Sequence, residues 1–424
     1  MQLYQEIQRC RICGNQELDV VLEMKDMALT GVFPKSREDK VASGPMTLIK
    51  CRESSNNDYC GLVQLRETYN PNMMYGQNYG YRSGLNKSMV NHLNDKVDKI
   101  LNQVTLSEDD IVVDIGSNDS TLLQAYPKGK ATLVGFDPTG EKFREYYPDD
   151  IMLFVDFFNS KKFKSKFGSQ KAKIITSIAM FYDLEEPLEF VREIFDILSD
   201  DGIWVFEQSY LPSMLEANSF DTICHEHQEY YRLKEIYWMM KEVGFKIIDV
   251  ECNEVNGGSF SVTVAKPGFP AKETPDLAVF LAEEENKGLS TNKPYDDFRV
   301  RIYKFKSDIR QLLDRLHKQK KLILGYGAST KGNVLLQFSE ITSEDIPYMG
   351  EVNADKVGCF TPGTLIPIIS ETEARKMNPD YFFVFPWHFK EFILKKEESI
   401  AGNDLSLLFP LPSIEIIETV RRVI

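Results

Sequence analysis

Nowhere in the 424 residues does an apolar run approach the ~18 residues needed to cross a membrane. The opening MQLYQEIQRCRICG has no apolar stretch of signal-peptide length, so the expectation is a cytoplasmic protein without membrane contact. Positive charge is also short, with 50 basic against 64 acidic side chains and a net charge of −14. A surface of that sign repels phosphate backbones at long range, which argues against nucleic acid as a partner. Seven cysteines is an odd count and nothing implies an oxidising compartment, so metal ligation outranks a disulfide framework. Histidine is scarce, five in all, and two close together therefore carry information. Short-period repeats and low-complexity tracts are missing too.

The composition that remains, 42% hydrophobic and 27% charged, is that of a globular chain long enough for several cores. Residues 1–68 hold four of the cysteines and few periodic segments, the pattern of a small domain that needs a metal staple. Cys10 and Cys13 form C-x2-C, and Cys51 and Cys60 a wider pair. Four thiolates suit a closed tetrahedral structural Zn²⁺ and leave no open position for catalysis. Leu93, Val97, Ile100 and Leu101 then recur at helical spacing.

From residue 111 to 265, apolar runs (IVVDIG, ATLVGFD, IMLFVD, KIITSIAMF, GIWVFE, FKIIDVE, SFSVTVAK) alternate with amphipathic stretches such as PLEFVREIFDIL. That alternation predicts an α/β domain with a mainly parallel sheet, and the last two strands an antiparallel edge pair. The Pro-, Glu- and Lys-rich stretch 268–296 marks a boundary, an amphipathic helix VRIYKFKSDIRQLLDRLHKQ follows, and a second α/β unit begins at KLILGYGASTKGN. The expected division is 1–68, 69–267 and 268–424.

In IVVDIGSNDSTLL, Gly116 makes a tight turn after a strand, with Asp114, Asn118 and Asp119 around it. About twenty residues on, Asp137 ends the next strand, where a carboxylate holds ribose hydroxyls. The loop has one glycine, so the dinucleotide fingerprint G-x-G-x-x-G is absent and a cofactor without pyrophosphate fits better: S-adenosylmethionine. Asp156 and Phe157, after the third strand, are placed for the adenine. In DTICHEHQEYY, His225 and His227 flank Glu226, and a histidine beside a carboxylate is the usual device for a general base. A buried structural histidine pair and a metal site are the weaker readings. Lys331, in GYGASTKGN, joins helix-start amides as a site for a diphosphate.

Taken in order, the cysteine pairs ending in CGLVQL, IGSNDSTLL, EQSYLP, DTICHEHQEYY, NGGSFSV, GYGASTKGN and FTPGTLIPI followed by FPWHF resemble one family across nearly the whole chain. It is the S-adenosylmethionine-dependent C-methyltransferases of nucleotide-linked deoxysugars. The resemblance implies a zinc-binding domain, a class I methyltransferase domain and a C-terminal Rossmann-like domain that helps hold the nucleotide sugar. It implies proton removal beside the C4 ketone of a keto-6-deoxysugar and methyl transfer to the enolate, at C3 here and at C5 in some relatives. It places the base at His227 with Glu226 and His225 nearby, an active-site phenol at Tyr79 or Tyr81, and substrate contacts at Asn256, Lys331 and Asn333. Cys224 stands where several relatives have tyrosine, Ser117 and Ser120 replace a cysteine and a glycine, and the second cysteine pair is wider than usual. A monomer or weak homo-oligomer is expected. Sugar O- or N-methylation, and a zinc-ribbon nucleic-acid binder, are the rival readings.

Overall fold

The computed structural model describes residues 3–52, 59–74, 81–398 and 405–418. Its central layer is a seven-stranded sheet in the order Lys246–Asn253, Ser259–Ala265, Leu198–Ser209, Ala172–Ile178, Ile111–Ile115, Thr132–Phe136, Ile151–Phe154. The last five run parallel. Ser259–Ala265 is antiparallel to both neighbours, so the final two strands do form the expected edge pair. Ile111–Ile115 and Ser259–Ala265 are buried at every position, the mark of strands covered on both faces. Helices Lys87–Gln103, Pro187–Ile197 and Leu233–Val243 turn apolar stripes toward the core.

A second sheet orders Ile368–Ser370, Met349–Glu351, Ile323–Tyr326, Tyr381–Val384, Ser406–Phe409 and Glu415–Glu418, parallel except for the last. Its order reverses beside Ile323–Tyr326, and the glycine turn after that strand leads into helix Thr330–Phe338. Helix Lys293–Lys318 buries Tyr295, Phe298, Ile302, Phe305, Ile309 and Leu313, a stripe at three- and four-residue spacing. The stretch 268–296, rich in Pro, Glu and Lys, contains a helix of its own, Asp276–Asn286. Its Glu284 accepts hydrogen bonds from Leu233 N, Lys234 N and Tyr210 Oη, capping the helix at 233 on the central layer.

The cysteine-bearing unit holds more regular structure than its sequence suggests. Leu18–Ala28 and Ser43–Cys51 form a long antiparallel ribbon, interrupted by register shifts near residues 20–22 and 24–27. Those shifts break the period-2 pattern by which strands are read. The unit does not fold around an isolated core. Leu22, Met24 and Leu48 share one apolar cluster with Phe298, Ile302 and Leu335, while Cys10, Cys60 and Leu62 share another with Phe181 and Tyr231. Fully burying a side chain of this size stabilises by about 1.5–3 kcal/mol, so the small unit is held by both of its neighbours as well as by its own sheet. Among the described residues no helix is long and apolar enough to cross a membrane.

Candidate active site

The four cysteines come together despite the wide second spacing. Their sulfurs all lie within 4.8 Å of one another, with Cys10–Cys60 at 3.5 Å and Cys13–Cys51 at 3.6 Å. Sulfurs about 2.3 Å from a zinc ion at the centre of a tetrahedron are about 3.8 Å apart, so the donor set fits Zn²⁺. Backbone and amide donors surround it: Leu62 N reaches Cys60 Sγ and Asn15 Nδ2 reaches Cys51 Sγ, each at 3.4 Å. Residues 53–58, in the wider loop, lie outside the described residues.

At the carboxyl end of the central sheet, Gly116 (φ 75°), Asn118 (φ 50°) and Ser120 (φ 62°) turn the chain sharply after the first parallel strand. A Cβ on Gly116 would stand 3.2 Å from Met180, a tight fit, and its φ is one that side-chain-bearing residues rarely adopt. Asp137 accepts from Asn118 N (2.8 Å) through one carboxylate oxygen and from Thr139 N (2.7 Å) through the other. Thr139 Oγ1 donates to the carboxylate as well, at 2.5 Å, and since a carboxylate has about four acceptor sites, one remains for a ribose hydroxyl. Asp156 is exposed and paired with Lys162, and beside it Phe157 leaves 43% of its surface exposed. These residues fit an adenosyl ligand.

Asp114 lies inside the strand, its carboxyl accepting from Thr176 Oγ1 at 2.6 Å and pushed up to about 7 by burial. Asn118 and Asp119 clamp the segment before the first helix: Ser83 N donates to Asn118 Oδ1 and Gly84 N to Asp119 Oδ2, both at 2.9 Å. Tyr81 sits in that clamped segment with 47% of the residue's surface exposed, its phenol pushed up by burial and its carbonyl accepting from Asn118 Nδ2. Tyr79 lies outside the described residues.

The two histidines of HEH diverge. His225 is fully buried, with its ring edge-on to Tyr69 at 4.6 Å, and burial holds it down at about 4. His227 is partly exposed and packs against Tyr182 at 4.3 Å. Its Nδ1 lies 2.9 Å from the Thr222 carbonyl oxygen, which can only accept, so Nδ1 carries the proton and Nε2 the lone pair. Burial and the Lys331 ammonium push this imidazole down to about 3, leaving it neutral at pH 7. Glu226 is buried between them, its carboxyl raised by burial and 3.4 Å from Thr30 Oγ1. Gly31 passes so close that a Cβ there would meet Glu226 Oε1 at 2.5 Å.

All three units close on this segment. Lys331 Nζ donates to Asn256 O at 2.9 Å, and Asn256 adopts φ 56° to present that carbonyl. Asn333 is buried, its amide donating to Thr30 O at 2.8 Å, so it ties the small unit to helix Thr330–Phe338. Trp387 Nε1 donates to buried Asp221 Oδ2 at 2.8 Å, and His388 beside it is held down to about 3 by burial and by Lys331. A cavity of about 260 Å³, lined by Ser213, Asn253, Gly257 and others, opens next to Asn256. His388, in FPWHF, and Glu207, in EQSYLP, carry no local signal of a role in the sequence. A cage of His92 Nε2 (2.5 Å), Lys96 Nζ (2.7 Å) and Asn253 Nδ2 (2.9 Å) surrounds Glu207. Burial raises Glu207, but the His92 ring and the Lys96 ammonium beside it win and hold it at about 2.

The neutral histidines have a consequence for stability. Below an ordinary histidine value near 6.5 the unfolded chain takes up protons that His225, His227 and His388 in the folded chain refuse, so these groups lower stability as pH drops from about 6.5 toward 4. Each contributes up to about 1.4 kcal/mol per pH unit in that window, while the Asp114 and Glu284 carboxyls, both raised by burial to about 7, act in the opposite sense because the folded chain protonates them first. The histidine share is therefore read by difference: urea unfolding at pH 7, 6 and 5 should show His225→Gln gaining on the wild type as pH falls, by about one proton's worth, and a difference between the two proteins that does not change with pH refutes it.

Fold and site together define a methyltransferase flanked by a four-cysteine unit and a second α/β unit. Family comparisons agree. Residues 87–250 match the model "Methyltransferase domain", 254–412 match "C-methyltransferase C-terminal domain", and 10–75 match "Putative zinc binding domain". The chain is 27% identical over 422 residues, 97% of each chain, to the C-methyltransferase NovU of Streptomyces niveus. Among solved structures it is similar to S-adenosylmethionine-dependent methyltransferases of Clostridium acetobutylicum (14% identity, 42% of this chain and 92% of that one, TM-score 0.32) and Mesorhizobium loti (12%, 39% and 95%, TM-score 0.32). The chain belongs to the S-adenosylmethionine-dependent C-methyltransferases.

Proposed function

We propose that the protein methylates carbon beside the C4 ketone of a nucleotide-linked 4-keto-6-deoxysugar, at C3, in the making of a branched-chain deoxysugar. The observation that carries the reading is the fixed tautomer of His227, whose Nε2 lone pair stands in a wall built by all three units. A C–H beside a ketone is acidic enough for an imidazole only while negative charge on the carbonyl oxygen is stabilised. His227 Nε2 takes the proton, and the Thr222 carbonyl steadies the imidazolium that results. Lys331 brings a positive charge to the same side, where the substrate is anionic.

The bound S-adenosylmethionine supplies an electrophilic methyl group for in-line displacement. Asp137, Asn118 and Asp119 hold the loop where it sits, with Asp156 and Phe157 at the adenine end. Asn256 positions Lys331, while Tyr81 lies in the segment clamped over the cofactor loop. Orienting carbon and methyl is the larger part of such catalysis. Zinc, held by Cys10, Cys13, Cys51 and Cys60, has a structural role.

The test is incubation with S-adenosylmethionine and a panel of nucleotide-linked 4-keto-6-deoxysugars, read by mass spectrometry and NMR. One member should gain a methyl group at C3. A methyl group on oxygen or nitrogen refutes the proposed chemistry, and methylation at C5 corrects the position.

A further inference from the structure

The histidine segment is hydrogen-bonded to the cysteine unit as well as to the methyltransferase unit, where Gln228 N donates to Tyr182 O at 2.8 Å. Glu229 pairs with Gln64 and Tyr230 with Val63, as the edge strand of the small sheet, and Leu65 N donates to Gln228 O at 2.8 Å. Glu229 is two residues from His227. Arg11, between Cys10 and Cys13, spans this junction. Its Nη1 donates to Leu65 O (2.6 Å), its Nη2 to Thr68 Oγ1 (2.8 Å), and both its backbone N–H and Nη1 reach Gln64 Oε1 (3.2 and 3.3 Å). Its Nε lies 3.5 Å from Glu229 Oε1, with the two side chains 2% and 0% exposed.

A carboxylate buried to that degree requires a cation, and without one it either moves toward water or takes a proton. The cation that reaches Glu229 comes from the turn that carries two cluster sulfurs. That turn closes through Gly14 N to Cys10 O (3.0 Å) and Cys10 N to Asn15 O (2.8 Å), and it sets two of the four clustered sulfurs, those of Cys10 and Cys13.

We propose that Arg11 is a positioning residue for catalysis: it ties the metal-held turn to Glu229 and thereby fixes where the His227 segment stands. The proposal rests on the assignment of His227 as base. A merely structural ion pair would stabilise the whole chain evenly; a positioning pair acts on one segment.

The full-length zinc-loaded protein serves for the test, as Arg11→Met, Arg11→Lys, Glu229→Gln and the double variant Arg11→Met/Glu229→Gln. Hydrogen exchange is read by peptide, alongside zinc content and turnover. Arg11→Met should keep its zinc, leave the strands at 111–115 and 172–178 protected, and raise exchange at 222–231 by about tenfold. It should lower kcat by about 10- to 100-fold with KM within about twofold. The double variant should recover most of both losses, because the second charge is gone too. Arg11→Lys keeps the charge without the fork, and should give a smaller rise in the same peptide; it decides alone if Arg11→Met does not fold. Unchanged exchange at 222–231, a rise spread evenly over the chain, or a double variant no better than Arg11→Met each overturns the proposal. Exchange needs no substrate, so failure to methylate any sugar counts against the proposed function and leaves this test standing.

Discussion

Replacement of His227 by alanine is expected to lower turnover by about 10²–10⁴-fold, the usual contribution of a positioned general base, while leaving S-adenosylmethionine affinity within about threefold. The two effects separate because His227 lies on the loop from Thr222 to Glu229, whereas the adenosyl-type residues hang on the strands that end at Ile115, Phe136 and Phe154. The imidazole is already neutral at pH 7, so the acid limb of kcat/KM should fall below pH 5 rather than near 6.5. Calorimetry with the cofactor and steady-state rates with the sugar found by the panel check both parts. Lost cofactor binding in a folded His227→Ala protein, or an unchanged rate, contradicts the assignment.

The second large effect is expected from metal removal. Purified protein should carry one zinc per chain by elemental analysis, and stripping it should lower the thermal midpoint by about 10 °C or more, since ligation of a structural zinc is folding free energy. Without the cation, burial and then the neighbouring cysteine sulfurs push the Cys60 thiol well above its ordinary value, and four packed sulfurs cannot all be thiolates. The ribbon from Leu18 to Cys51 also contributes to the core around Phe298, so the loss should spread past the first unit. Zinc-free protein that melts at the same temperature removes the structural-metal claim.

The legible parts of this molecule are those written in local pattern. The parallel strands announce themselves as apolar runs such as IVVDIG because both faces are covered, and Gly116 marks its loop because its φ of 75° favours glycine. Cys51 and Cys60 could be paired with Cys10 and Cys13 by residue type alone, since a thiolate tetrahedron constrains sulfurs and leaves loop length free.

The features that escaped the sequence depend on distant pairing. Glu229–Tyr230 is a two-residue strand whose partner lies some 165 positions away, and so short a strand has no period to detect. That His225 packs inward on Tyr69 while His227 packs on Tyr182 and bonds to the Thr222 carbonyl follows from the same docking, and nothing in HEH distinguishes them. Asn333 also holds Thr30 across the unit boundary, a contact that its place in GYGASTKGN does not announce. The Glu207 cage likewise joins helix Lys87–Gln103 to the strand ending at Asn253.

The most direct test of enolate chemistry separates proton removal from methyl transfer. The keto-sugar substrate is incubated in D2O with the protein and S-adenosylhomocysteine, which fills the cofactor site without a methyl group to give, and NMR follows the C–H at C3. Exchange of that hydrogen for deuterium by the wild-type protein, and its absence with His227→Ala, is the predicted result. No exchange by a wild-type protein that still methylates the sugar, or equal exchange by His227→Ala, contradicts the account.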